Sequence, residues 1–147
     1  MAITIPRAAR SDYELARAYL ARDPAQRRLF ERLDRSARHF HLALDSRGDD
    51  RFDPNSDTIT WDPHSALRTT RGGTQSPALG LAHEVAHAVE SPARESALSA
   101  RALGKYDNAE ERRVIRGSER QAARALGESV RFDHRGTLYR VATPVSR

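Results

Sequence analysis

The chain has 147 residues, of which 38% are hydrophobic and 31% charged, and its formal net charge is +5. This length fits a single domain over residues 1–147, and no apolar run reaches the roughly 20 residues that cross a bilayer, so no membrane association is expected. The absence of cysteine excludes disulfides and thiolate ligands, so any metal site must use His, Asp or Glu.

The first half of the chain predicts two helices and three strands. Ser11 is a suitable N-cap for the first helix, in which Leu15 and Tyr19 share one face, and Asp23 with Pro24 starts the second. Period-two alternation in HFHLALD and β-forming residues in DTITWD predict strands, and a polar loop follows the latter. The predicted helices span 12–21 and 24–35, the strands 2–5, 39–44 and 57–62, and the loop 63–75.

The second half predicts mostly helix. Ser76-Pro77 and Ser91-Pro92 each combine an N-cap with a proline at the first helical position. Gly117-Ser118 interrupts the last helical stretch, and the tail from SVRFD to TLYRVA is typical of a β-hairpin. The predicted helices run from 77 to before 92, from 92 to about 103, from 107 to 115, and on to Gly127. The fold class is therefore α+β.

The most informative motif is HEVAH at residues 83–87. On a helix, His83 and His87 lie one turn apart on the same face and can bind one zinc ion. Glu84 can then act as general base and general acid on a water that the metal activates. Chance predicts only about 0.015 such matches in this composition, so two ordinary helical histidines are the weaker interpretation.

A zinc site of this kind needs a third protein ligand. Pro92 and Ala93 occupy the positions where some extended motifs place a further His or Asp. The remaining option is a carboxylate on a second helix, and the strongest candidates are Glu110 and Glu111, which a short connection can bring back over the first helix. Weaker candidates are Glu95, Asp107 and Glu119.

HEVAHA followed by EERRVIRG resembles the NleD-like effector metallopeptidases, zinc proteases of bacterial effectors and of Rhs-type polymorphic toxins. The resemblance covers roughly residues 57–135 and includes DTITWDPHSAL and GGTQSPALGLAHE. It implies that Glu111, the second Glu of an E-E-x-R motif that ends at Arg113, is the third zinc ligand, as in clostridial neurotoxin light chains. Glu110 would then contact the ligand side chains and not the metal itself.

The resemblance also implies residues that act on the substrate. The family tends to carry an Arg and then a Tyr near the C-terminus, a pair that stabilises the oxyanion in clostridial light chains. Arg131 holds the first place here, but His134 replaces the tyrosine, and Tyr139 lies further on.

In fold, the resemblance implies a compact zincin-like domain of the gluzincin type, whose metal-binding helix packs on a small, mostly antiparallel sheet. A second helix then supplies the Glu ligand. The strand before the metal helix often forms the lip of the cleft in such enzymes, so Ile59, Thr60 and Trp61 are candidate substrate-binding residues. Trp61 is equally suited to the core.

The leading hypothesis is a zinc endopeptidase with one Zn²⁺ per chain, made in the bacterial cytoplasm and delivered by a secretion system into a target cell. MAITIPRAARSDYE lacks a signal-peptide core, and the expected partners are a protein substrate and a cognate immunity protein. The first alternative is a cytoplasmic regulatory metallopeptidase that cleaves a repressor. The second is a basic module that binds nucleic acid, but the arginines are spread among acidic residues along the whole chain.

Overall fold

Six α-helices and two β-sheets make up the fold in the computed structural model, which describes residues 2–147. This confirms the predicted α+β class. The helices are α1 (Arg10–Leu20), α2 (Pro24–Arg35), α3 (Pro77–Ala88), α4 (Pro92–Ser99), α5 (Ala109–Val114) and α6 (Arg120–Leu126). The strands are β1 (Ile3–Thr4), β2 (Phe40–Leu44), β3 (Arg51–Asp53), β4 (Thr58–Trp61), β5 (Ser65–Arg68), β6 (Thr74–Gln75) and β7 (Thr137–Arg140).

The first sheet has four strands in the order β1-β2-β4-β3. β1, β2 and β4 run parallel, and only β3 is antiparallel to its neighbour. The expectation of a mostly antiparallel sheet is therefore wrong for this sheet. The reason is that α1 and α2 form a helical crossover, which returns the chain to β2 in the direction of β1.

The second sheet is antiparallel, with the order β6-β5-β7. β5 and β6 lie within the segment predicted as a loop, and β7 pairs with β5 instead of with residues 128–132. The predicted C-terminal hairpin is therefore wrong. Ser129 is fixed instead by hydrogen bonds with Thr74 and Gln75 of β6, so the tail is tied to a distant part of the chain.

Helix α1 buries a different face from the predicted one. It begins at Arg10 after a 3-10 turn, so Ser11 lies inside the helix and is not its N-cap. Its buried residues are Tyr13, Ala16 and Leu20, while Leu15 is 44% exposed. The small Ala16 belongs to the apolar stripe because it allows close packing, which a pattern of large residues does not reveal.

Helix α3 lies at the centre of the fold. All of its residues except Gly80 are buried, and it contacts α1, α2, α5 and strands of both sheets. The buried Trp61 ring donates a hydrogen bond from Nε1 to the Pro77 carbonyl at 2.9 Å, which ties β4 to the start of α3. Within residues 2–147, no helix has the length and apolar character needed to cross a membrane.

A buried carboxylate fixes the N-terminus of α3. Glu128, which follows α6, accepts hydrogen bonds from the Ser76 backbone N–H at 2.6 Å and the Ser76 hydroxyl at 2.7 Å. The Tyr19 hydroxyl of α1 donates to the same carboxylate at 2.5 Å. Glu128 therefore joins α1, α3 and the end of α6 at one point.

We expect Glu128→Ala to lower the free energy of unfolding by about 3 kcal/mol, because it leaves buried donors without an acceptor. Urea titration followed by the fluorescence of Trp61, the only tryptophan, measures this change. The matched control is Glu14→Ala on the exposed face of α1, which should change stability by less than about 0.5 kcal/mol. Equal stability of the two variants would contradict this account.

Candidate metal centre

His83 and His87 are presented by α3, whose start the sequence encodes locally. The Ser76 hydroxyl accepts a hydrogen bond from the Leu79 N–H, and Pro77 occupies the first helical position, as predicted. The two histidines lie one turn apart and both are buried, with their ring centroids 4.7 Å apart. Their Nε2 atoms are 3.0 Å from each other, so both imidazoles point at one place.

Glu111 completes this group from the first turn of α5. The Asn108 side chain caps that helix by accepting a hydrogen bond from the Glu111 N–H at 2.9 Å. Glu111 Oε2 lies 2.7 Å from His83 Nε2 and 3.2 Å from His87 Nε2. His83, His87 and Glu111 therefore form a group that could hold a metal ion.

The dimensions of this triangle fit a tetrahedral ion. Ligands at zinc distances of 2.0–2.1 Å lie about 3.3 Å apart in a tetrahedron. The three edges here are 2.7, 3.0 and 3.2 Å, so a slight expansion of the triangle gives that geometry. Two imidazole nitrogens and a carboxylate oxygen that converge in this way suit a divalent cation.

Each histidine also contacts a second carboxylate through Nδ1, the ring nitrogen that does not face Glu111. His83 Nδ1 lies 2.8 Å from Glu119 Oε1, and His87 Nδ1 lies 2.7 Å from Glu110 Oε2. A carboxylate that accepts the Nδ1 proton orients the ring so that Nε2 faces the position of a metal. This explains the ring orientation of both histidines and gives Glu110 the position that the resemblance implies.

Arginines neutralise these two carboxylates. Arg131 binds both oxygens of Glu119 through Nε and Nη2, at 2.9 and 2.7 Å. Burial raises the pKa of Glu119, but the Arg131 charge and the His83 hydrogen bond outweigh it and lower the pKa to about 2. Arg113 forms the equivalent fork with Glu110, at 2.6 and 2.8 Å. Both carboxylates therefore remain ionised.

A π turn brings Glu119 onto the same face as Glu111. Residues Ile115–Glu119 form this turn between α5 and α6 around Gly117, whose backbone is not helical. Because Gly117 departs from helical φ and ψ, the directions of Glu111 and Glu119 do not follow regular helical spacing, and both carboxylates reach His83. The predicted interruption at Gly117 thus has a structural consequence for the site.

Glu84 lies beside this group. Its Oε1 is 3.9 Å from His83 Nε2, and the side chain is buried. Burial raises the pKa of Glu84, and the nearby histidines act in the opposite direction. The carboxylate can therefore exchange a proton more readily near neutral pH than an exposed Glu.

His134 and Arg131 also reach the site. His134 stacks on the His83 ring at 5.8 Å, its Nε2 is 3.3 Å from Glu111 Oε2, and its Nδ1 is 2.5 Å from Asp107 Oδ2. Arg131 donates to Glu119 and its Nη2 also lies 3.1 Å from His83 Nδ1, so the contacts of this structure make it a positioning residue for His83. Tyr139 lies elsewhere, opposite Ala66 in the second sheet.

The prediction that residues 59–61 form the lip of the cleft is wrong in its placement. β4 is an inner strand, paired with β2 on one side and β3 on the other, and Ile59, Thr60 and Trp61 are buried. The edge strand beside β4 is β3, because the chain turns back after Asp53 and β4 inserts between β3 and β2. Its short polar sequence, RFD, gave no strand signal.

Two cavities flank the candidate metal centre. One, of about 270 Å³, lies on the His83 side, and the other, of about 180 Å³, lies on the His87 side between β3 and α4. Three side chains border both cavities: Asp50, Glu84 and His134. Glu95, a weaker ligand candidate, borders only the second cavity and accepts a hydrogen bond from Ser99.

Asp50 is a site residue that sequence reasoning missed. Its Oδ1 accepts a hydrogen bond from the Asp62 N–H at 2.7 Å, and its Oδ2 lies only 2.7 Å from where a Cβ on Gly80 would be. Burial raises the pKa of Asp50 to about 8, and Glu84 adds to this rise. Gly80 within α3 was the available signal, since a glycine permits this close approach.

No protein-family model, curated protein or solved structure that was compared with the chain matches it.

We expect metal binding to release protons at neutral pH. Burial lowers the pKa of His87, but its hydrogen bonds to Glu110 and Glu111 outweigh this and raise the pKa to about 10. The metal-free cluster therefore holds a proton below that pH, and a metal must displace it, so apparent affinity should rise with pH up to about 10.

Calorimetric titration of zinc chloride at pH 7, in two buffers of different ionisation enthalpy, counts the released protons. In Glu110→Gln, which lacks the carboxylate that raises the pKa of His87, the count should fall. Heats that do not depend on the buffer would contradict the prediction.

Proposed function

We propose that the chain is a zinc endopeptidase of the NleD-like effector type, delivered as a bacterial toxin or effector. The observation that carries the proposal is the convergence of His83, His87 and Glu111 on one point, with Glu84 beside them. A chance HEVAH on a helix gives no reason for a third ligand atom within 3.2 Å of both histidines. The same convergence counts against a nucleic-acid module, which needs no such cluster.

The chemistry follows from the positions of the side chains. Zinc held by these residues supplies Lewis-acid chemistry, which makes a water molecule more acidic and a carbonyl group more electrophilic. Glu84, with its raised pKa, takes the proton of the attacking water and passes it to the leaving amine. His134, which faces the same space, is suited to donate a hydrogen bond to the carbonyl oxygen as negative charge develops there.

A peptide substrate can be held along β3. This strand is one of the two edge strands of the first sheet, and Arg51 and Phe52 border the cavity on the His87 side. Unpaired backbone groups at a sheet edge can form main-chain hydrogen bonds with an added strand. These bonds orient a peptide and depend little on its side chains. We therefore assign to β3 the substrate-binding role that the sequence suggested for β4.

The biological setting is proposed from the family resemblance. An enzyme that is toxic to a target cell calls for a cognate immunity protein in the cell that makes it. A regulatory metallopeptidase would use the same site, so the two settings differ in the consequence of expression, not in the geometry of the centre.

We expect the purified chain to bind about one zinc, and Glu111→Ala to lose it. Glu110→Ala is the matched control, because it removes the neighbouring carboxylate and spares the ligand atoms; it should weaken zinc binding about 10- to 100-fold. Elemental analysis after gel filtration, with a chelator competition for affinity, separates the two variants. A greater loss in Glu110→Ala would mean that Glu110 is the ligand, and a wild type that takes up no zinc would refute the peptidase.

We expect Glu84→Gln to retain zinc and to lose peptidase activity by at least about a hundred-fold, because the amide cannot accept the proton. Mass spectrometry of a peptide mixture incubated with each zinc-loaded protein measures the cleavage. Expression of the wild type should arrest growth of a susceptible host, and Glu84→Gln should abolish the arrest. Glu95→Gln, which alters a cleft carboxylate away from the ligands, serves as the control. Toxicity that persists in Glu84→Gln would argue against proteolysis as its cause.

A further inference from the structure

One face of the second sheet forms a wall of the larger cavity. Ser65 and Leu67 of β5, together with Gly136 and Leu138 at β7, border this cavity. Side chains two residues apart in a strand point to the same side, and Leu67 pairs with Leu138 in the register of the two strands. Two leucines therefore stand side by side on the cavity wall.

Two glycines lie close against these leucines, where a larger residue would clash with them. A Cβ on Gly48 would lie 2.6 Å from Leu138 Cδ1, and a Cβ on Gly136 would lie 2.6 Å from Leu67 Cδ1. Both glycines have positive φ angles, of 73° and 147°, which also disfavour other residues. Leu138 remains 50% exposed, although it lies in a concave site next to the metal-binding helix.

The polar groups around the cavity are largely engaged with one another. Glu119 and Arg131 satisfy each other, and the Gln75 side-chain amide donates to the Ser129 carbonyl at 2.8 Å. The leucine wall is thus the part of the cavity that gains most from a ligand, because an apolar group would remove Leu138 from water.

We propose that this cavity selects an apolar side chain, of the size of leucine, methionine or phenylalanine, on the residue next to the cleaved bond. The proposal rests on the peptidase function above and adds its substrate class. The position follows from the lining, because His83 and Glu84 border the same cavity as the two leucines. A volume of about 270 Å³ leaves room for such a side chain.

The direct test compares two dipeptide hydroxamates that differ in one side chain, isobutyl or methyl, in calorimetric titrations of the zinc-loaded protein. The isobutyl compound should bind about ten-fold more tightly or better, since added methylene groups in an apolar pocket give this order of selectivity. Leu138→Asp should lose most of the preference. Leu44→Asp is the matched control, because Leu44 is 41% exposed on β2 and does not border either cavity; it should keep the preference.

Leu67→Asn provides a second variant on the same wall, and the fluorescence of the buried Trp61 verifies the fold of each protein. Equal binding of the two hydroxamates by the wild type, or an unchanged preference in both Leu138→Asp and Leu67→Asn, would overturn the proposal. Cleavage of a peptide mixture distinguishes failure of the proposed pocket from failure of the proposed peptidase function. Cleavage without an apolar residue at a fixed position beside the bond overturns the pocket alone, whereas an isobutyl preference without any cleavage overturns the peptidase and leaves an apolar ligand pocket.

Discussion

Two hydrogen bonds from histidine Nδ1 atoms to buried carboxylates determine the geometry of the candidate metal centre. They fix the ring orientation of His83 and His87, so that both Nε2 atoms lie near Glu111. Buried carboxylates are costly unless they are paired, and here each one has an arginine fork. Part of the arginine excess therefore has a role inside the protein that composition alone does not reveal.

Local sequence signals predicted the parts of the site that depend on one helix. The spacing of His83 and His87 follows from helical periodicity, and a helix over 107–115 was predicted to carry Glu110 and Glu111; in the structure it begins at Ala109, after the Asn108 cap. The spacing left open which of these two glutamates faces α3, and the family resemblance pointed to Glu111. The sequence offered Glu119 only as a weaker ligand candidate, and its contact with His83 Nδ1 was not predicted, because the non-helical backbone at Gly117 interrupts regular periodicity.

In the fold, too, features that depend on neighbouring residues were predicted, whereas contacts between distant parts of the chain were not. The starts of α2, α3 and α4 were predicted because each has a polar N-cap followed by proline. The second sheet was missed, because its strands are short and their pairing joins β5 to β7 across about half of the chain. The turn residues near the C-terminus predicted a hairpin, but they connect the tail to that distant strand instead.

Chemistry and selectivity are assigned to separate structural elements. The proposed ligands and the general base lie on α3 and α5, whose side chains are tied together by buried ion pairs and leave little freedom for substitution. The proposed substrate contacts lie on the edge strand β3 and on side chains of β5 and β7, of which Leu138 is half-exposed. Substitutions there change what the cleft accepts without leaving a buried charge unpaired. In such a design, substrate preference can change while the metal centre is retained.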